Sequence, residues 1–351
     1  MRAIRFNTAF KAIRGVKVFL NFEGGLTRGA VPSPEKQVEA QAKSLKDAKK
    51  RITIQRRILG ERDREIFRLR ELSKMHGVEE DALKERSAFR SSGKSAAGML
   101  PEFLIIGAQK SGTTSLYHAL VSHAHVVPAF KKELHFFNFT NKFAKGSEWY
   151  RSNFLPPGSE NGRSIITGEA SPYYLYHPLA ARRASQVVPQ AKLIVLLRNP
   201  VDRAYSDYQH KFRDGSETLS FEEAIEAEEE RIGGERERML ADETYLSPNH
   251  RRYSYLTRGI YVDQLKEWHE HFDRGQMLII KSEDYFARTA DVTNLVLDFL
   301  ELPVWDRKDA EGGKNRGGYD PMSPAVRERL ESYFEPHNQR LYEYLGQDFG
   351  W

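Results

Sequence analysis

A cluster of ionisable side chains within five residues is the part of the sequence best suited to chemistry. The run Lys131-Lys132-Glu133-Leu134-His135 places two ammonium groups, a carboxylate and an imidazole side by side. On extended backbone, Glu133 and His135 alternate with Leu134 and face the same way. A carboxylate beside lysines and an imidazole can take a proton from a substrate hydroxyl or amine. The alternative is a surface turn that Phe136 and Phe137 anchor in the core, and this segment alone does not decide between the two.

A glycine-containing loop precedes this cluster. Gly107 to Gly112 separates an apolar run from a segment that begins Thr113-Thr114-Ser115. The glycine spacing is that of a Walker A motif, but the lysine lies inside the loop, at Lys110, instead of after the second glycine. A strand, such a loop and a helix start bind anions because unpaired N–H groups and the helix dipole point at the ligand. An ordinary turn between a strand and a helix is the alternative.

A third polar group follows the most apolar run of the chain. Lys192 to Leu197 is succeeded by Arg198-Asn199-Pro200, and Ser206 lies eight residues after Arg198. An arginine at the carboxyl end of a parallel strand stands where such folds bind ligands. Its guanidinium suits a phosphate dianion. A structural salt bridge is the alternative role for Arg198.

The elements that must position these groups alternate between strand and helix patterns. Short apolar runs predict four or five strands, near residues 103–106, 126–130, 165–170, 192–197 and 277–280. Amphipathic segments predict helices between them and a last helix over 324–345. Residues 214–250 are highly charged and predict a solvated helical insertion. The pattern is typical of an α/β fold, a P-loop-type parallel sheet flanked by helices on both faces.

Charge is distributed unevenly along the chain. Of 351 residues, residues 1–98 hold 23 of the 54 lysines and arginines but only 12 of the 49 acids, so residues 99–351 are net acidic. This disfavours a core that binds nucleic acid, which has to be basic. The chain has no cysteine, which excludes disulfides, thiolate metal sites and cysteine nucleophiles. No cluster of ligands predicts a metal.

The first 98 residues form an appendage that divides near Pro34. Residues 1–34 read as a basic tail, and residues 35–98 as a helical extension and linker. Residues 1–22 are basic and aromatic, which is typical of contact with an anionic membrane surface, an organelle transit peptide or a disordered tail. Apolar residues recur every seven positions over 38–69, which indicates either a homodimeric coiled coil or a solvated helix. No apolar run reaches the ~18 residues of a membrane-spanning helix, and we expect a cytoplasmic protein with peripheral membrane contact.

Taken in order, these motifs resemble the PAPS-dependent sulfotransferases, where PAPS is 3′-phosphoadenylyl sulfate. The similarity is greatest to the heparan-sulfate-type and related bacterial carbohydrate enzymes. It covers residues 101–351 and rests on five motifs: the Lys110 loop, Lys132-Glu133-Leu134-His135-Phe136-Phe137, Gly168-Glu169-Ala170-Ser171-Pro172, Leu197-Arg198-Asn199-Pro200 with Ser206, and Lys314-Asn315-Arg316-Gly317. The sulfotransferase domain is therefore predicted over 99–351.

The resemblance implies a role for each matching position. Glu133 is the general base for a carbohydrate or glycolipid acceptor, His135 assists it, and Lys110 stabilises the leaving phosphate. The 5′-phosphosulfate is held by Lys110, Ser111, Gly112, Thr113, Thr114 and Ser115. The 3′-phosphate is bound by Arg198 and Ser206, and the nucleotide site is completed by Lys314, Asn315, Arg316 and Gly317. The reaction needs no metal.

Three departures and two rival functions accompany this resemblance. Ala170 stands where heparan-type members often carry lysine, and the disulfide and membrane anchor of animal enzymes are missing, which favours a bacterial-type enzyme. The first rival is a P-loop kinase or NTPase, which lacks its lysine and a Walker B-like aspartate here. The second is a non-catalytic scaffold on a degenerate fold, against which the intact Lys110, Glu133 and Arg198 argue.

Overall fold

A parallel sheet of five strands organises the part of the chain that a computed structural model describes, residues 98–155, 159–160, 163–305 and 320–351. The strands in chain order are β1 (Phe103–Gly107), β2 (Val126–Pro128), β3 (Ser159–Glu160), β4 (Arg163–Ser164), β5 (Ile166–Ala170), β6 (Lys192–Leu197) and β7 (Met277–Lys281). The main sheet has the order β2-β5-β1-β6-β7, and β3 and β4 pair separately as an antiparallel ribbon. The predicted parallel sheet is confirmed, with β1 at its centre.

Thirteen α-helices connect and cover these strands within the described residues. They are α1 (Thr113–Val121), α2 (Thr140–Phe143), α3 (Gly146–Arg151), α4 (Ala180–Val187), α5 (Pro200–Asp214), α6 (Phe221–Glu226), α7 (Glu228–Ile232), α8 (Glu235–Ala241), α9 (Pro248–Arg252), α10 (Tyr261–His269), α11 (Ser282–Ala287), α12 (Thr289–Phe299) and α13 (Pro324–Leu345). The predicted last helix has the bounds that the structure shows.

Side chains on the central strands alternate between two apolar layers, as the pleat requires. Leu104 and Ile106 of β1 belong to a layer that contains buried residues of α4 and α10. Phe103 and Ile105 belong to the opposite layer, with buried residues of α1 and α12. Burial on both faces explains why these strands read as continuous apolar runs, and the prediction of helices on both faces is confirmed.

Close packing between neighbouring strands requires a glycine at one position. Gly168 of β5 pairs with Phe103 of β1, and a Cβ atom there would lie 2.4 Å from the Phe103 ring. Glycine therefore lets β5 approach the central strand.

The charged segment over residues 214–250 differs from its prediction. It does form short helices, α6 to α9, but four of its polar residues are buried: Glu217, Glu228, Ser247 and His250. Glu228 accepts hydrogen bonds from the backbone N–H groups of Leu256 and Thr257, at 2.7 and 2.9 Å. Interpreting the segment as purely solvated was wrong, because its sequence does not show these partners.

Several predictions fall outside the described residues. These are the basic tail, the helical extension with its possible dimer seam, the membrane contact of residues 1–22, and the Lys314–Gly317 loop. The domain boundary near Met99 stays a prediction for the same reason. Among the helices that the structure describes, none combines the length and the apolar character needed to cross a membrane.

Candidate active site

The glycine loop joins the carboxyl end of β1 to the start of α1. Gly112 adopts a left-handed conformation, with φ of 95°, directly before the first helical residue. No side chain caps this helix start, and its first turn contains no acidic residue. The Oγ atom of Ser111 is buried and has no hydrogen-bond partner among the described residues. The loop thus offers free donors at a helix N-terminus, which is what an anion requires.

Lys110 lies half-buried in this loop among other cations. Burial lowers the pKa of its ammonium group, Asp207 opposes that shift, and the positive charges of Arg213 and Arg198 add to it. Lys110 also has a positive φ of 72°, which is uncommon for a residue with a side chain. The Nη1 atom of Arg198 donates to the backbone oxygen of Lys110 at 3.2 Å. The structure therefore brings together two of the predicted anion contacts, Lys110 and Arg198.

The cluster after β2 forms one hydrogen-bonded group. Lys132 donates to Oε1 of Glu133 at 3.0 Å, and Nε2 of His135 lies 3.4 Å from Oε2 of the same carboxylate. On its other side, Nδ1 of His135 lies 3.0 Å from Oδ1 of Asn138. The carboxylate and the imidazole predicted from sequence are neighbours.

The backbone that brings them together is not the extended one that we expected. Glu133 has φ of 59° and His135 has φ of 55°, so both lie in the left-handed region. Within the described residues, the non-glycine residues with positive φ are Lys110, Glu133, His135 and Glu301. Three of the four are candidate site residues. Backbone strain concentrates at functional sites when the surroundings hold it in place.

Lys132 joins the cluster to the glycine loop. Its Nζ atom donates to Oγ1 of Thr114 in the first turn of α1 at 2.8 Å, while it also contacts Glu133. One ammonium group thus lies between the carboxylate and the helix start. We did not assign Lys132 a role from sequence, although its position next to Glu133 was a usable signal.

Opposing effects act on the pKa of Glu133. Burial raises its pKa, but the hydrogen bond with His135 and the ammonium of Lys132 outweigh burial and lower the pKa to about 2. The carboxylate is therefore ionised at neutral pH and is able to accept a proton.

A second carboxylate, Glu169, supports the backbone of the turn. The sequence placed it in the Gly168–Pro172 motif but predicted no role for it. Glu169 is fully buried at the end of β5 and accepts hydrogen bonds from the hydroxyls of Tyr150, Tyr174 and Ser171 at 2.6, 2.9 and 2.8 Å. Ser171 in turn accepts from the backbone N–H of His135 at 3.1 Å. Burial raises the pKa of Glu169, and its hydroxyl donors oppose that shift.

Other predicted site residues take up supporting positions. Thr113 is buried at the start of α1, and Ser115 accepts a hydrogen bond from the Tyr285 hydroxyl at 3.2 Å. Ser206 is buried within α5, and no hydrogen bond among the described residues joins it to Arg198. Their pairing at one phosphate remains a prediction. In the described ranges, no group of three or more His, Asp or Glu side chains is arranged to hold a metal ion.

The chain is similar to known proteins over the same region. A family model described as a sulfotransferase domain matches residues 100–312. The human protein named heparan sulfate glucosamine 3-O-sulfotransferase 6 is 33% identical over 274 residues, which is 72% of this chain and 73% of that protein. A Dictyostelium discoideum protein named membrane-associated sulfotransferase kil1 is 29% identical over 317 residues. That match covers 72% of this chain and 66% of the relative, just under two thirds of its length.

A solved structure supports the same assignment. The crystal structure of a sulfotransferase from Alicyclobacillus acidocaldarius is similar with a TM-score of 0.57 and 32% sequence identity. The similarity covers 72% of this chain and 98% of the bacterial one. The range that the family model matches includes the glycine loop and Glu133. With these relatives and this fold, the chain belongs to the sulfotransferase family.

Proposed function

We propose that this sulfotransferase moves the sulfuryl group of PAPS to a hydroxyl or amine of a carbohydrate or glycolipid acceptor. The observation that carries the proposal is the double contact of Lys132. Because this ammonium group contacts both Thr114 and Glu133, the carboxylate lies beside the anion-binding start of α1. A proton acceptor next to a phosphate cradle is the arrangement that group transfer from a phosphorylated donor needs.

The residues of the glycine loop fit the phosphosulfate end of PAPS. The orphaned Ser111 hydroxyl and the uncapped start of α1 supply donors, and Lys110 supplies charge. Arg198 and Ser206 bind the 3′-phosphate in this proposal, and residues 314–317 complete the nucleotide site. When bound, PAPS supplies a sulfuryl group whose bond to the 5′-phosphate oxygen breaks as a bond to the acceptor forms.

Glu133 takes the proton of the attacking hydroxyl or amine. Its low pKa keeps it ionised in the resting enzyme but makes it a weak base there. It therefore takes the proton only as the attacking atom becomes strongly acidic during bond formation. His135 holds the other carboxylate oxygen in place. Lys110 and the α1 N–H groups stabilise the negative charge that grows on the departing phosphate.

The acceptor is proposed from the relatives and from charge. Several relatives are named for heparan sulfate, a carbohydrate. Burial lowers the pKa of the half-buried Lys142 near the turn. The charges of Lys131, Lys145 and Arg251 lower it further, and Glu169 opposes the shift. In this proposal these cations supply positive charge for the acceptor, because Ala170 stands where heparan-type enzymes often carry lysine.

Transfer of labelled sulfate tests this function directly. The full-length chain is incubated with ³⁵S-labelled PAPS and a panel of glycans and glycolipids, and we expect label in at least one acceptor. Calorimetry in EDTA is expected to show binding of PAP, the desulfated product. Magnesium-dependent ATP binding without PAP binding would instead establish the kinase alternative, and PAP binding without transfer to any acceptor would favour the scaffold.

Two further proposals concern residues outside the described ranges. Residues 1–22 make peripheral contact with anionic membranes, and residues 38–69 pair two copies of the chain. Sedimentation with anionic vesicles and analytical ultracentrifugation of the full chain and of a chain lacking residues 1–98 test both.

A further inference from the structure

A fully buried arginine lies between the segments that carry Lys110 and Ser206, which are predicted to bind the 5′- and 3′-phosphates. Arg258 belongs to the short 3₁₀ turn Thr257–Gly259 before α10, and it is 1% exposed. No residue of this turn belongs to the motifs that identified the site. The guanidinium therefore has no role in the proposed reaction as it stands.

A single nitrogen atom of Arg258 contacts both the glycine loop and α5. Its Nη1 atom donates to the side-chain oxygen of Gln109, which is the residue before Lys110. The same Nη1 atom lies 3.5 Å from Oδ2 of Asp207, which is the residue after Ser206. One nitrogen atom thus ties together the chain neighbours of a proposed 5′-phosphate ligand and a proposed 3′-phosphate ligand.

The remaining contacts of Arg258 fix the guanidinium itself. Its Nη2 atom donates to the backbone oxygen of Arg251 and to Oγ of Ser254, both at 2.8 Å. The rings of Tyr173 and Tyr176 lie 5.2 and 5.1 Å from its central carbon. A planar group held by so many partners cannot rotate freely. It therefore keeps the glycine loop and α5, which it contacts, at a fixed separation.

The residues that follow Arg258 contact Arg198, which is also predicted to bind the 3′-phosphate. The Tyr261 hydroxyl donates to the backbone oxygen of Arg198 at 2.8 Å. Gly259 packs so closely that an added Cβ would lie 3.0 Å from Cβ of Pro200, the first residue of α5. Residues 258–261 therefore contact the glycine loop, the residue that follows β6, and α5.

We propose that residues 258–261 form a clamp, with Arg258 as its central positioning residue, that sets the distance between the 5′- and 3′-phosphate contacts. The clamp makes the enzyme selective for a nucleotide that carries both phosphates. This inference rests on the proposed use of PAPS. Two contacts held at the correct separation bind a two-phosphate ligand more tightly than either contact alone, because the second contact forms without a further entropy loss.

Binding of three nucleotides distinguishes a clamp from a simple structural role. Calorimetry measures the affinity of the full-length chain for PAP, 5′-AMP and 3′-AMP. In the Arg258→Lys variant, which keeps the charge but loses the planar fork, we expect PAP to bind about tenfold more weakly. Each monophosphate should weaken by less than about threefold, because each single contact remains. Tyr261→Phe, which releases the Arg198 carbonyl, should show the same pattern with a smaller effect.

Matched variants keep the test decisive. Arg183 is another fully buried arginine, and it donates to the backbone oxygen of Phe137 rather than to the nucleotide loop. Arg183→Lys should leave the ratio of PAP to monophosphate affinity unchanged. Should Arg258→Lys fail to fold, Gln109→Leu removes the loop side of the clamp alone and carries the same expectation.

Three results would overturn the clamp. Equal weakening of all three nucleotides in Arg258→Lys and Tyr261→Phe would make the segment merely structural, and unchanged PAP affinity would remove its role in binding. If the unaltered chain binds none of the three nucleotides, the proposed use of PAPS fails first and the clamp fails with it. Wild-type PAP binding therefore separates failure of the proposed function from failure of the clamp alone.

Discussion

Two carboxylates only 36 residues apart show how differently the same side chain can be used. Glu133 lies on the turn after β2, where its side chain is 40% exposed and contacts two basic groups, Lys132 and His135. Glu169 lies at the end of β5, fully buried, where its partners are hydroxyl groups. The pKa of Glu133 is lowered to about 2, whereas burial raises the pKa of Glu169.

The two environments suit different roles, proton transfer for Glu133 and structural support for Glu169. A carboxylate stabilised by cations at the surface stays charged and can reach a substrate, which suits a base. A carboxylate that only accepts from buried hydroxyls cannot reach a substrate, but it can hold a backbone in place. Ser171 connects the two, because it donates to Glu169 and accepts from the backbone of His135.

The largest expected effect is on turnover at the exposed carboxylate. Glu133→Gln keeps the size of the side chain but cannot accept a proton, so sulfate transfer should fall by roughly 10²-fold or more. PAP affinity should stay within about threefold of the unaltered chain, because the phosphate contacts remain. Steady-state kinetics and calorimetry measure both. Glu148→Gln, an exposed change nearby on α3, is the control, and near-normal turnover in Glu133→Gln would remove the base from the mechanism.

The buried carboxylate should affect stability instead. Glu169→Ala leaves the Tyr150 and Tyr174 hydroxyls without an acceptor, and we expect the free energy of unfolding to fall by about 2 kcal/mol. Urea denaturation measures this change. Glu331→Ala removes an exposed acid of α13 and should change the free energy by less than about 0.5 kcal/mol. A loss below that control value would mean that Glu169 is not needed to hold the turn.

The two carboxylates should respond to pH with opposite sign. The stabilising contribution of Glu133 is present above its ordinary pKa of 4.5 and is lost as the pH falls towards about 2. The contribution of Glu169 is fully present below 4.5 and is lost as the pH rises through its raised pKa. Urea denaturation of the unaltered chain, Glu133→Gln and Glu169→Gln at several pH values should therefore give difference curves of opposite slope. Parallel curves would contradict the contrast.

The smallest effect is expected at the residue that joins them. Ser171→Ala removes the hydrogen bonds to Glu169 and to the His135 backbone, which should cost about 1 kcal/mol of unfolding free energy. The loss should be accompanied by a lower kcat with little change in PAP affinity, because the turn shifts while the phosphate loop does not. Ser185→Ala is the control, because this partly exposed serine donates to the backbone oxygen of Arg182 in its own helix. Loss of stability without a change in kcat would show that Ser171 does not position the turn.

Much of the fold could be read from local patterns. The strands at 103–107 and 192–197 are buried on both faces, so their apolar runs are unambiguous. Asn199 caps α5 by accepting from the N–H groups of Val201 and Asp202, and Pro200 occupies the first helical position, so this helix start follows from sequence as well. Lys110, Glu133, His135 and Arg198 were identified because they interrupt or follow these patterns with unusual chemistry.

The sequence by itself determined the order of strands and helices, the glycine loop and the types of residue at the candidate site, because these depend on neighbours along the chain. Only the tertiary structure decided which groups meet. It placed Lys132 between Thr114 and Glu133, buried Glu169 beneath the turn, and brought Arg258 to Gln109, 149 positions earlier in the chain. It also replaced the extended backbone expected at Glu133 and His135 with a left-handed one. Such contacts depend on the packing of distant elements, and no periodicity within a segment encodes them.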